Sequence, residues 1–288
     1  MYNSVVDNFY SYGNKDGPLV VCVHGIMGKS TDFTPFIKDW GKDFHLIIPE
    51  LTPDDPRKVG YSEKKADGKG ELLTYELAPN LIVDFLNRHY PGQKVFLIGI
   101  SFGGKICFEV AQTIPERITG VCVTDVGLGP LCEDSDLFKL TFETIPKLNL
   151  NQSWDLLRKE IASLIPDRML RILIHNHIEY ATGQPNSGKW KSGANNFYQL
   201  LRNNKLENQW PNQDKLVAPC LILIATVNSA IDKSDYEKMK LKANIILDII
   251  EGANHFIHVH FPKVFLEKGL EMLNTFHLST QENKHESI

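Results

Sequence analysis

Short, nearly unbroken apolar runs alternate along this chain with longer segments of helical periodicity. LVVCV (19–23), LII (46–48), VFLI (95–98), VCV (121–123), LILI (221–224) and IILDII (245–250) are mostly rich in β-branched residues, a pattern that predicts buried strands. Their continuity, in place of strict alternation, is what a parallel strand covered on both faces requires. Residues 72–89, 102–114 and 262–276 instead carry the spacing of amphipathic helices. Alternation of this kind predicts an α/β fold on a doubly wound, mostly parallel sheet.

One stretch breaks the rhythm. From 131 to 212 no convincing strand is seen, only helix-like patterns at 136–142, 153–165, 168–180 and 195–203. The expected organisation is a core made of residues 1–130 and 213–288, interrupted by a helical cap at 131–212. The polar C-terminal STQENKHESI is expected to fray.

Composition narrows the class. The chain has 288 residues, 42% hydrophobic and 23% charged, enough to bury a sizeable core. Thirty-one Lys and Arg against 35 Asp and Glu leave a net charge of −4, which argues neither for nucleic acid nor for an acidic tail. Of five Cys, Cys22, Cys107, Cys122 and Cys220 stand in apolar runs and are expected to be buried thiols. The N-terminal MYNSVVDNFYSYG lacks a basic region followed by an apolar one, and no apolar run reaches the roughly 20 residues of a membrane span. The expectation is a cytoplasmic protein without membrane or nucleic-acid partners. Nothing in the sequence fixes its oligomeric state.

The sharpest chemical signal is Gly99-Ile100-Ser101-Phe102-Gly103, followed by Gly104. It matches the G-x-S-x-G nucleophile elbow and stands between a predicted strand and a predicted helix, the context that motif needs. The turn holds Ser101 in a strained conformation and presents its hydroxyl above the carboxyl edge of the sheet, at the start of the next helix.

With LVVCVHG before it and GANHF after it, the chain resembles the α/β-hydrolase family along nearly its whole length. The resemblance implies that His24-Gly25 belongs to the oxyanion loop. The backbone N–H groups of Ile26 and Phe102 would then stabilise the negative charge of a tetrahedral intermediate. It also implies that His255, in the Gly252-Ala253-Asn254-His255 loop, is the base that takes the Ser101 proton. His24 is expected to be structural.

The third member of such a triad departs from the common pattern. Many relatives place an acid after the strand that follows the cap, but here that position holds Asn228 or Ser229, neither of which carries charge. Two carboxylates are candidates: Asp125, at the end of VCVTD, and Asp232, four residues beyond Asn228. Some branches of the family use the first position, and Asp125 is preferred. It also stands before Gly127, Gly129 and Pro130, where an Asp can simply organise a turn.

Other motifs carry less. Gly28-Lys29-Ser30 ends like a phosphate-binding loop, but the position five residues before Gly28 is Val23, not glycine. Lys29 is therefore read as a loop charge. His258 and His260 near His255 lack the carboxylate or Cys partners of a metal site, and His175 and His177 read as surface or cap residues. Phe138, Phe142, Trp154, Tyr180, Trp190, Phe197 and Trp210 make the cap aromatic and could line an apolar pocket, although each is also a candidate for packing within the cap. Phe102 is expected near the site.

The sequence thus predicts a carboxylesterase-like serine hydrolase with catalytic Ser101, His255 and Asp125, and an oxyanion hole of Ile26 and Phe102. The expected substrate is a small, largely apolar carboxylic ester, and no metal or organic cofactor is required. Hydrolysis of a lactone, thioester or carbon–carbon bond on the same triad is an alternative, as is a non-catalytic ligand-binding protein of the same fold.

Overall fold

The computed structural model describes residues 2–6, 9–26, 28–51, 78–129, 138–180, 183, 186–191 and 215–285. Its strands in chain order are β1 (Tyr2–Val6), β2 (Phe9–Gly13), β3 (Leu19–Val23), β4 (His45–Pro49), β5 (Val95–Ile100), β6 (Ile118–Thr124), β7 (Ile178–Tyr180), β8 (Gly188–Trp190), β9 (Cys220–Val227) and β10 (Ile245–Asn254). The helices are α1 (Thr34–Trp40), α2 (Ala78–His89), α3 (Phe102–Thr113), α4 (Trp154–Leu164), α5 (Arg168–Asn176), α6 (Lys233–Lys240), α7 (Ile257–His260) and α8 (Pro262–His285).

Eight strands form one sheet in the order β1-β2-β4-β3-β5-β6-β9-β10. From β4 to β10 every pairing is parallel, whereas β1 and β2 join antiparallel at one edge. Along β3 the side chains alternate between two cores. Leu19, Val21 and Val23 face the layer that holds α2 and α3; Val20 and Cys22 face the layer of α1 and α8. The second layer is locked by Phe36 and Trp40 against Phe265, with ring centroids 4.9 and 5.4 Å apart. Trp40 Nε1 also donates to the Leu266 carbonyl at 3.2 Å. Burial on both faces explains why these strands read as continuous apolar runs.

The antiparallel edge leaves little trace in the sequence, because β2 fully buries only one of its faces. In FYSYG the inward residues are Phe9 and Ser11, and the Ser11 hydroxyl meets His45 Nε2 at 2.8 Å. An alternating run with a polar residue among its inward positions carries little apolar signal. Helices α1 and α6 escape the periodicity for related reasons: α1 is only seven residues long, and α6 buries only Asp235 and Met239. Helix α8 runs to His285, through most of the tail expected to fray.

Within the segment 131–212, α4 and α5 start on side-chain caps. Ser153 Oγ accepts from the Leu156 N–H, and Asp167 Oδ1 accepts from the Leu170 N–H at 2.8 Å. The expected helix 168–180 stops at Asn176, and its last residues instead form β7, which pairs with β8 as a small antiparallel ribbon. That pair corrects the expectation of a strand-free segment; three-residue strands are too short to show a period. A π-helical turn covers Lys139–Thr144. Residues 131–137, the helix expected at 195–203 and the first residues of that expected at 72–89 lie outside the described residues. Leu157, Ile161, Leu170 and Ile174 bury into the same apolar cluster as Ile106 and Val126 of the sheet layer. Among the described residues no helix is long and apolar enough to cross a membrane.

Candidate active site

The carboxyl ends of β5, β6 and β9 and the loop after β10 bring the candidate residues together. Ser101 follows β5 with φ 52° and ψ −122°, and α3 begins at the next residue. A left-handed serine is tolerated because its surroundings fix it. Its N–H donates to the Thr124 carbonyl at 3.1 Å, and α3 passes so close to β3 that a Cβ on Gly103 would lie 2.2 Å from the Val23 carbonyl oxygen.

Ser101 Oγ lies 2.7 Å from His255 Nε2, and His255 Nδ1 lies 2.7 Å from Asp125 Oδ2. A carboxylate only accepts, so Nδ1 carries the ring proton and Nε2 is left to accept from the Ser101 hydroxyl. Asp125 is fully buried, with φ 43° at the end of β6. Its Oδ1 takes the Ser229 hydroxyl at 2.6 Å and the Ala225 N–H at 3.1 Å, while Oδ2 also takes the Ala230 N–H at 2.9 Å. Burial alone would raise this carboxyl. The His255 hydrogen bond and charge, the Ser229 hydroxyl and the Ala230 N–H outweigh it and hold Asp125 below its ordinary value.

Asp232, the other candidate acid, is not at the site. It caps α6, accepting from the Ser234 N–H at 2.7 Å. The chain turns at Asn228, φ 50°, and folds Ser229 and Ala230 back over Asp125. Ser229 carries no charge and cannot be the acid; its hydroxyl is a partner of the acid instead.

His24 is wholly buried in the loop after β3. Its Nδ1 meets the Gly25 carbonyl at 2.9 Å, and its Nε2 accepts from the Leu51 N–H at 3.0 Å. This pattern ties the loop to the end of β4 and leaves no role in proton transfer to Ser101. Gly25 backs directly onto Ser101: a Cβ there would lie 3.3 Å from that of Ser101. Ile26, next in the loop, lines the cavity above Ser101, and Phe102 opens α3, where helix N–H groups point away from the helix. Lys29 is half-buried and precedes the turn Ser30–Phe33.

Two cavities meet at His255 and Phe256. One, of about 180 Å³, lies over Ser101 and is walled by Ile26, Met169, Ile172, Leu173 and Val259. The other, of about 570 Å³, is walled by Leu140, Leu164, Leu170 and Val227. Among the described residues, the walls contributed by 131–212 are mostly aliphatic with a few polar side chains, and none is aromatic. Trp154 packs instead on His175 and Tyr180, with centroids 5.2 and 5.7 Å apart. The Phe102 side chain is buried in the sheet-layer cluster and is not a cavity wall, because the first turn of α3 directs it inward; the aromatic wall is Phe256. Phe197 and Trp210 lie outside the described residues, as does the side chain of Phe142. His177 is buried and meets the Leu173 carbonyl at 2.8 Å. Among the described residues no three His, Cys, Asp or Glu side chains are grouped to hold a metal, and Cys22, Cys107, Cys122 and Cys220 are free, buried thiols.

The sheet order, the elbow and the loop after the last strand define a hydrolase architecture, and the chain belongs to the alpha/beta hydrolase fold family, which it matches over residues 18–262. It is 23% identical over 274 residues to the sn-1-specific diacylglycerol lipase ABHD11 of Danio rerio, covering 91% of this chain and 80% of the relative. Among solved structures it is similar to a marine microorganism esterase, with TM-score 0.70 and 19% identity over 92% of this chain and 98% of the other. E-2-(acetamidomethylene)succinate hydrolase gives TM-score 0.65 and 17% identity over 92% and 94% of the two chains.

Proposed function

We propose that this protein is a serine hydrolase that cleaves a largely apolar carboxylic ester of a small molecule through an acyl-enzyme. The observation that carries the reading is the unbroken hydrogen-bond chain from Ser101 through His255 to buried Asp125, opening into a cavity with mostly apolar walls.

In this scheme Ser101 Oγ attacks the carbonyl carbon while its proton passes to His255 Nε2. Asp125 stays ionised and stabilises the imidazolium it faces. The N–H groups of Ile26 and Phe102 receive the oxyanion; removing one such donor costs about 10²–10³ in rate. His255 then returns the proton to the leaving alcohol, and a water deprotonated by the same nitrogen releases the acid. Every proton and charge is handled by these residues, so the scheme calls on no metal or organic cofactor. The two cavities that share His255 and Phe256 as wall residues suit the two halves of an ester. We read residues 131–212 as a lid over a core of 1–130 and 213–288, since Met169, Ile172 and Leu173 of that segment stand over Ser101. The relatives named as a lipase and an esterase favour ester chemistry without fixing the substrate.

The test is hydrolysis of p-nitrophenyl butanoate by the wild-type protein and Ser101→Ala. Turnover lost in the variant supports the reading. Absence of turnover in both would leave a ligand-binding protein of this fold.

A further inference from the structure

The cavity over Ser101 is lined by three polar side chains that the triad does not use, Asp32, Asn176 and His258, of which the first and last carry an ionisable group. His258, on α7, is 8% exposed and lines the cavity wall. Its Nδ1 is buried and has no hydrogen-bond partner among the described residues. A proton on Nδ1 would strand a buried donor, so the favoured tautomer carries it on Nε2, which is then available as a donor. Burial, with the nearby charges of His255 and His260, pushes the imidazole down to about 3, so the ring is neutral near pH 7. Asp32 stands on the same cavity, half-buried in the turn after the loop that carries Ile26. Its Oδ2 accepts from the Lys29 N–H at 3.1 Å, leaving Oδ1 as an acceptor for a ligand. Around them the walls are Ile26, Ile172, Leu173 and Val259.

A neutral donor and an anionic acceptor in an apolar cavity are matched by a group that both donates and accepts. We propose that His258 and Asp32 form a hydroxyl-binding subsite, so that the ester cleaved at Ser101 carries a hydroxyl group close to its scissile carbonyl; the inference rests on the hydrolase reading above. A substrate hydroxyl donates to Asp32 or accepts from His258 Nε2. A substrate carboxylate is repelled by Asp32, and an ammonium leaves the His258 donor unmet. An alkyl group of the same size strips water from both side chains and returns no hydrogen bond, which is how such sites reject the analogue that lacks the polar group.

Two matched pairs test this: p-nitrophenyl 3-hydroxybutanoate against p-nitrophenyl butanoate for the acyl side, and 2-hydroxyethyl butanoate against propyl butanoate for the alcohol side. The expected wild-type result is a kcat/KM preference of about tenfold for the hydroxylated member of at least one pair, the size of one well-made hydrogen bond. The preference falls towards one in His258→Leu and in Asp32→Ala, and survives in part in His258→Asn, which keeps a donor. A ratio is read within each variant, so a general loss of activity or stability does not imitate the effect. The wild-type ratios and Asp32→Ala carry the test if His258→Leu fails to fold. Equal kcat/KM within both pairs overturns the subsite, as does a preference unchanged by His258→Leu and Asp32→Ala, or choline butanoate preferred over every neutral ester. Ser101-dependent turnover of the plain esters with ratios of one refutes the subsite alone; no turnover of any ester refutes the hydrolase reading and the subsite together.

Discussion

The hydroxyl of Ser229 donates a 2.6 Å hydrogen bond to Oδ1 of Asp125. Ser229 stands just beyond β9, where many α/β-hydrolases carry the acid, and Asp125 stands at the end of the neighbouring strand β6. The two strand ends thus divide the role between them, with β6 supplying the carboxylate and the turn after β9 supplying the groups that hold it. Asp232, the competing carboxylate, is committed to starting α6.

Asp125→Asn is therefore expected to lower kcat on p-nitrophenyl butanoate by about 10³- to 10⁴-fold, the effect of losing the charge and tautomer control behind a catalytic imidazole. Asp232→Asn is expected to hydrolyse the ester at the wild-type rate. Steady-state kinetics on the two variants decides between the carboxylates, and the reverse pattern would transfer the role to Asp232.

The elbow is limited by backbone approach. A methyl at Gly103 would lie 2.2 Å from the Val23 carbonyl oxygen and 2.6 Å from that of His24, both main-chain atoms. Gly103→Ala is expected to cost about 3 kcal/mol or more, since β3 and α3 must separate. Chemical denaturation measures this, and a variant as stable as wild type would contradict the packing described.

Lys105 gives the fold a pH signature. It is 2% exposed, and its Nζ donates to the carbonyls of Gly127, at 2.5 Å, and of Gly129, on the loop that follows Asp125. Burial, opposed by the charges of Asp235 and Glu109, lowers its pKa from 10.5 to about 7. Below that value both folded and unfolded chains hold the proton. Between about 7 and 10.5 the unfolded chain binds more, so this group makes stability rise with pH, with a slope approaching about 1.4 kcal/mol per pH unit. Unfolding free energies from pH 7 to 10 are expected to climb more steeply in wild type than in Lys105→Met, and parallel curves would refute the assignment.

The larger cavity predicts chain-length selectivity. Leu164 lies on its wall and is itself 46% exposed, so a larger side chain can be added without disturbing the core. Leu164→Trp is expected to lower kcat/KM for p-nitrophenyl octanoate several-fold relative to the butanoate. An unchanged ratio would place the acyl chain elsewhere.

Much of this is legible in the sequence because the chemistry constrains it locally. A nucleophile elbow needs small residues beside its serine, and doubly covered strands need unbroken apolar runs; both are patterns of neighbours in the chain. What is not legible depends on neighbours in space. The sequence offers both Asp125 and Asp232 and prefers the first; what separates them in space is the turn at Asn228, which folds Ser229, not Asp232, onto Asp125. The cap aromatics are natural candidates for a pocket, yet spacing does not orient a side chain, and Trp154 turns to Tyr180 and His175. His258 is visible as a histidine three residues after His255. That its Nδ1 is buried with no partner among the described residues is a property of packing alone.

The most direct measurement of the central claim is the intact mass of the protein after treatment with a fluorophosphonate, followed by peptide mapping. The account predicts one stoichiometric adduct, located on Ser101, absent from Ser101→Ala and formed far more slowly by His255→Ala. An unlabelled wild-type protein, or an adduct on another residue, would contradict it.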